Sequence, residues 1–241
     1  MISIFLKEIN EFLDSLIAYV VIGVFLVGIG LLMWVFPDTN VLDYGYASME
    51  PVFSLGPYVF MFLIPAITMK SFAEEKRNGT LELLYTLPFK EIDVILGKFF
   101  AGYFLVFFSI VPTLVYYFSL SQLGNPAGNL DTPGIMGSYI GLLLLGGVFT
   151  SVGILASALT GNQIVSFILS AFLSFLLYAG FDSIAAIDVW SGWSYFISDL
   201  GIMAHYSSMS KGLVDLLDVA YFVGMITIIL MLTKLILGFK K

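Results

Sequence analysis

Few side chains in this sequence could do chemistry, and their spacing does not bring them together. His205 is the only histidine and there is no cysteine, which excludes disulfides, thiolate metal sites and thiol nucleophiles. One histidine among scattered aspartates does not supply the converging ligands that a metal requires. Asp182 and Asp188 are the acids that come nearest to an intramembrane aspartate pair, and both are peripheral. Neither Gly-x-Ser-x-Gly nor His-Glu-x-x-His occurs. Gly97-Lys98 is followed by Phe99, and Ile92 stands where a phosphate-binding loop needs its leading glycine. The sequence therefore assigns no catalytic, cofactor-binding or metal-ligating residue, and the chain is expected not to bind ATP itself.

The elements that could position any site are apolar. Of 241 residues, 59% are hydrophobic and 11% charged, with a mean hydropathy of +1.00. A soluble domain is about 45–50% apolar and roughly 25% charged, so lipid must serve as part of the solvent here. A pI near 4.5 with no basic stripe argues against nucleic acid as a partner. The first apolar run follows Lys7, Glu8, Glu11 and Asp14. It is too long for a signal-peptide core and reads as a retained helix.

A helix needs about 20 apolar residues, roughly 17–25, to cross the hydrocarbon layer. Six stretches qualify: 16–36, 56–72, 99–120, 135–159, 164–181 and 216–237. Backbone groups in lipid must satisfy one another, so solid apolar runs of this length are helices. The sequence predicts an all-α integral membrane protein forming one membrane domain, 1–241. Pro65 and Pro112 should kink the second and third spans. Residues 182–215 are ambiguous. Trp190, Trp193, Tyr195 and Phe196 look like an interfacial aromatic belt, and short interfacial or re-entrant helices are expected there.

Basic residues set the orientation. With the N-terminus inside, nine of the ten Lys and Arg fall at cytoplasmic ends, and only Lys211 lies outside. Both termini are thus expected in the cytoplasm, and the net acidity belongs to the outer face. Residues 4–16 place Phe5, Ile9, Phe12 and Leu16 on one helical face and Lys7, Asn10, Glu11 and Asp14 on the other. That is the pattern of an amphipathic helix along the inner membrane surface. The fourth span carries the small pairs Gly137 and Gly141, Gly147 and Ser151, and Gly153 and Ser157, which allow close helix approach. Packing within the monomer accounts for them better than a dimer seam.

The informative stretch is the loop 73–98. Glu74, Glu75, Lys76 and Arg77 form a mixed-charge helix end, Asn78-Gly79 signals a turn, and Thr80 can cap a new helix. That helix runs over 81–87 and is closed by Pro88. Leu81, Leu84 and Tyr85 share one face. Two turns are marginal alone, so the helix needs a surface to dock on, its own or a partner's.

This loop, Glu-Glu-Lys-Arg-Asn-Gly-Thr-Leu-Glu-Leu-Leu-Tyr-Thr-Leu-Pro with Gly97-Lys98 after it, resembles the coupling loop of ABC-2-type ABC transporter permeases. The segment His205-Tyr-Ser-Ser-Met-Ser-Lys-Gly-Leu-Val-Asp215 is similar to the His-x-x-Ser-x-x-x-Gly-x-x-Asp segment of gliding-motility-associated (GldF-like) permeases. The resemblance implies a multi-pass permease subunit of the inner membrane, paired with a second permease copy or a companion permease subunit. Separate ABC ATPase subunits would bind the ATP and Mg. It implies an ATPase contact at Glu74, Glu75, Lys76, Arg77, Gly79, Thr80, Leu81, Glu82, Leu83 and Leu84. It also implies a possible outer cap at His205, Ser208, Gly212 and Asp215. A non-transporting assembly or anchoring component, or an intramembrane enzyme, stays open as an alternative. Substrate, direction of transport and homo- or heterodimer state are not legible.

Overall fold

A computed structural model describes residues 1–43, 47–81, 90–187 and 192–238. Among these, every regular element is a helix. Two helices open the chain, α1 (Ile2–Leu13) and α2 (Leu16–Trp34), and α1 is bent by 72° from the stretch Ala18–Trp34. On α1, Ile4 and Ile9 are buried while Lys7, Asn10 and Glu11 are exposed. The helix therefore lies with its apolar side on the protein, and Ile4 packs against Gly97.

The second span starts earlier than its hydropathy suggests. α3 (Glu50–Thr68) begins six residues before position 56. Pro51 occupies the first turn, where its missing N–H costs nothing, and Glu50 suits the positive end of the helix dipole. A turn at 69–72 leads to the short α4 (Ala73–Arg77). The third span runs as α5 (Glu91–Ile110), a 3-10 turn at Val111–Thr113 and α6 (Leu114–Leu123). The interruption falls at Pro112, which lacks the donor an α-turn would use.

α7 (Thr132–Leu159) is the central helix. Asp131 caps it by accepting from Gly134 N at 3.1 Å, and 78% of its most apolar window is buried. α8 (Gln163–Phe175) is capped by Asn162, which accepts from Ile164 N at 2.9 Å. It continues through a π-helical turn, Leu176–Gly180, into α9 (Phe181–Ala185). Two short helices, α10 (Ser194–Asp199) and α11 (Ile202–Met209), precede the last long helix, α12 (Leu216–Gly238). Short helices are what the ambiguous 182–215 stretch was expected to hold.

Among the described residues, five helical stretches are long and apolar enough to cross a membrane: Glu50–Arg77, Glu91–Leu123, Thr132–Leu159, Gln163–Ala185 and Leu216–Gly238. The first of the six expected spans corresponds to α2, whose stretch Ala18–Trp34 joins α1 as a bent pair apolar enough to be one further span. The small residues of α7 meet other helices of the same chain. A Cβ on Gly153 would collide with Thr68 Oγ1, one on Gly147 would stand 2.9 Å from Ile226, and one on Gly141 2.7 Å from Met209 Cβ. α3, α11 and α12 can approach α7 this closely because these positions carry no side chain.

Candidate functional site

Two clusters of buried or half-buried charged side chains stand out, one around Lys98 and one around His205. At the end that carries Lys7, Lys70, Lys76 and Lys98, the second span breaks between Thr68 and Ala73, and a break frees backbone donors that apolar surroundings cannot satisfy. Ser157 supplies the missing partner. Its fully buried hydroxyl accepts from Phe72 N at 2.8 Å and Ala73 N at 2.9 Å, and donates to the Met69 carbonyl at 3.2 Å. Lys76 donates to the carbonyl of Ala158, placing a cation at the negative end of the α7 dipole. The break is thus pinned to α7 by one serine and one lysine.

Lys98 pins it a second time. Its side chain is 1% exposed and uses all three ammonium hydrogens. These go to Glu8 Oε1 at 2.6 Å, Glu75 Oε1 at 2.9 Å and the Ser71 carbonyl at 2.7 Å. The ammonium also lies 5.1 Å from the centroid of the Phe72 ring, within cation–π range. One buried cation therefore joins α1, the α3–α4 break and the start of α5. Burial pushes the Glu8 carboxyl above the usual carboxylate range, against the opposite pull of Lys98. Beside this junction opens a cleft of about 490 Å³ whose rim includes Lys7, Glu11, Lys70, Glu74 and Asn78.

The residues assigned to an ATPase contact divide around this junction. Glu75 and Lys76 are turned inward onto Lys98 and Ala158, and Glu74 is half-buried on the cleft. Arg77, Gly79 and Thr80 are exposed. Gly79 has φ +68°, the left-handed turn that its pairing with Asn78 suggests. Thr80 donates to the Glu75 carbonyl at 3.4 Å, and Leu81 packs against the cluster of Phe72, Ile95 and Ile154. Glu82, Leu83 and Leu84, with the rest of the expected helix 81–87, lie outside the described residues.

At the opposite end, each of the four residues assigned to a cap has a local task. α11 buries Ile202, Tyr206 and Met209, and its His205 faces α12. His205 Nδ1 lies 2.7 Å from Asp218 Oδ1, so the histidine's carboxylate partner is Asp218. Asp215 caps α12 by accepting from Leu217 N at 3.2 Å. The Ser208 carbonyl accepts from Lys211 N and Leu213 N, both at 3.2 Å. Gly212 turns with φ +84°, and a Cβ there would collide with the Gly134 backbone. Only glycine fits that turn against the start of α7.

Tyr206 resolves a defect elsewhere. Pro57 has no N–H for the carbonyl four residues before it, which is Phe53. The buried Tyr206 hydroxyl donates to that carbonyl at 2.6 Å. Sequence reasoning missed Tyr206, Ser157 and the Lys98 partners. The only signals for them were prolines inside a span and a lysine at a span boundary.

A helical chain with five apolar membrane-length stretches and polar clusters at both ends is a multi-pass membrane protein. It belongs to the ABC-2 family transporter proteins, whose sequence profile matches residues 38–237. α1 and α2 precede the matched region. No curated protein matches the chain significantly.

Proposed function

We propose that the chain is the membrane-spanning permease subunit of an ATP-driven ABC transporter. It would have six spans and cytoplasmic termini, and would work with a separate ABC ATPase that binds the ATP and Mg. A second permease copy or a companion permease completes the pathway. The nine-to-one split of basic residues supports placing the Lys98 end in the cytoplasm of the inner membrane. The likeness of 205–215 to gliding-motility permeases makes motility the first physiological setting to examine.

The carrying observation is the double pinning of the loop start. An ATPase that moves residues 77–90 pulls on α4, and α4 is fixed to α7 through Ser157 and Lys76, and to α1 and α5 through Lys98. Force applied at one loop therefore reaches four helices without passing through a flexible link. Glu75 and Lys76 serve this internal transmission, while Arg77, Gly79, Thr80 and the 82–84 stretch face the ATPase.

Purifying the tagged chain in mild detergent tests the reading. An ATPase subunit carrying nucleotide-binding motifs should accompany the wild type and be lost when 77–84 is replaced by a neutral linker. Retention of that ATPase by the linker variant would move the contact elsewhere.

A further inference from the structure

His205 is held on both ring nitrogens. Nδ1 lies 2.7 Å from Asp218 Oδ1 on α12, and Nε2 lies 2.9 Å from the Asp199 carbonyl at the end of α10. The ring stacks on Tyr221, with centroids 3.9 Å apart and planes at 23°. The Tyr221 hydroxyl in turn donates to the Leu200 carbonyl at 2.7 Å. The histidine side chain is 23% exposed and the aspartate 13%, so the pair is sheltered while remaining in reach of solvent.

The partners dictate the proton count. A backbone carbonyl can only accept, so Nε2 must carry a hydrogen. A neutral imidazole has one N–H, which leaves a bare lone pair at Nδ1 facing a carboxylate oxygen. While Nε2 keeps its hydrogen, the 2.7 Å contact is a hydrogen bond only when the His205–Asp218 pair holds a second proton. Without that proton a neutral ring serves only one of its two acceptors: with its hydrogen on Nδ1 it keeps Asp218 and gives up the Asp199 carbonyl.

Asp199 brings its own carboxyl, exposed at the end of α10, and two further carboxyls nearby are engaged elsewhere. Asp182 accepts from Ser198 at 2.6 Å and Asp215 caps α12. The remaining elements packed on α11 are α7, the π-helical turn and α3, which meets it where Tyr206 reaches the Phe53 carbonyl. They bring the tyrosines Tyr58, Tyr139 and Tyr178 and, at the helix starts, the carboxyls of Glu50 and Asp131, the latter spent on the α7 cap. Lys211 follows α11 in the tight turn at Gly212, and no hydrogen bond joins its ammonium to the imidazole among the described contacts.

We propose that this proton is a latch. While the His205–Asp218 pair holds it, α10 and α11 are fastened to the start of the last span. When the solution at that end becomes alkaline enough to remove it, the imidazole keeps Asp218 and lets go of the Asp199 carbonyl, so the end of α10 loses one of its two ties to α12 and keeps only that through Tyr221. The latch is closed at acid pH and opens as pH rises, whichever cargo or activity the chain serves.

The single histidine and the absence of cysteine make the test site-specific. The chain is labelled with ¹⁵N-histidine and carries a nitroxide on a cysteine at the exposed Tyr195 of α10, in lipid nanodiscs. In the wild type at about pH 5 both imidazole nitrogens should be protonated and the nitroxide immobile. As the pH is raised, one proton should leave and mobility should rise through the same midpoint.

Asp218→Asn replaces the carboxylate with an amide that can donate to Nδ1. This keeps the three-way contact with a neutral ring, so the nitroxide should stay immobile across the range. His205→Phe should be mobile throughout. A wild-type ring that is neutral at about pH 5 with an immobile nitroxide, or a pH response unchanged in Asp218→Asn, would overturn the latch. Should Asp218→Asn fail to insert, the wild-type imidazole spectrum and its coincidence with nitroxide mobility decide alone.

Discussion

Lys98 Nζ and Glu8 Oε1 lie 2.6 Å apart although ninety residues separate them in the chain. The contact closes a circuit in which a helix at the N-terminus, the break in the second span and the start of the third share one buried cation. A buried cation with two carboxylates is stabilising only while the set is complete. Removing the ammonium leaves Glu8 without its ion pair and Glu75 with only Lys7, 3.7 Å away, at a cost of about 3–5 kcal/mol.

Lys98→Met is accordingly expected to lower thermal stability sharply in purified protein. Glu8→Gln should cost within about 1 kcal/mol, because an amide oxygen still accepts from Lys98. The pH response carries the sign. Burial raises the Glu8 carboxyl, so the folded chain holds that proton more readily than the unfolded chain does. This contribution to stability is present at low pH and lost as pH rises through the folded value. Glu8→Gln should remove that part of the pH dependence. An unfolding midpoint as pH-dependent in Glu8→Gln as in wild type would locate the proton elsewhere.

Tyr206 and Pro57 give a second prediction. Tyr206→Phe leaves the Phe53 carbonyl without a donor, at about 1–3 kcal/mol. In Pro57→Ala the helix regains its own N–H for that carbonyl, so the same tyrosine substitution should cost less. A double-mutant cycle on thermal stability should show a coupling of about 1 kcal/mol. Additive effects would mean that the hydroxyl does not answer the proline.

Much of the helical pattern was legible because it is local. The apolar runs, the interruption at Pro112 and the positive φ at Gly79 follow from residue type and near neighbours. The small residues of α7 announced close packing, and their partners prove to be helices of the same chain. Pairings across the fold were not legible. Glu8, Glu75 and Lys98 become neighbours only through the way α1 and the second-span break cross the start of α5. His205 meets Asp218, not Asp215, because Asp215 sits one step before the helix and is spent on its cap. Three residues decide that outcome, and no spacing rule in an irregular segment predicts it.

The proposed orientation is tested by thiol labelling, with no native cysteine to give background. Cysteines at Asp43, Asn129 and Ser207, all exposed, should react with an impermeant reagent in intact cells. Those at Asn78 and Gly161 should react only after permeabilisation. Reaction at Asn78 in intact cells would invert the topology.

Residues 77–84 are proposed to receive an ATPase, with the turn at Gly79 setting the direction in which they leave α4. Gly79 holds φ +68°, and a Cβ added there would meet nothing within 4 Å, so a substitution acts through backbone conformation alone. A β-branched residue in that conformation costs about 1–2 kcal/mol or turns the chain another way. The most direct measurement compares wild type with Gly79→Val in lipid vesicles containing the co-purified ATPase, recording membrane insertion, ATPase retention and ATP-dependent transport. Insertion should be equal in the two, while Gly79→Val loses the ATPase or hydrolyses ATP without transport. Normal retention and normal transport in Gly79→Val would contradict the account.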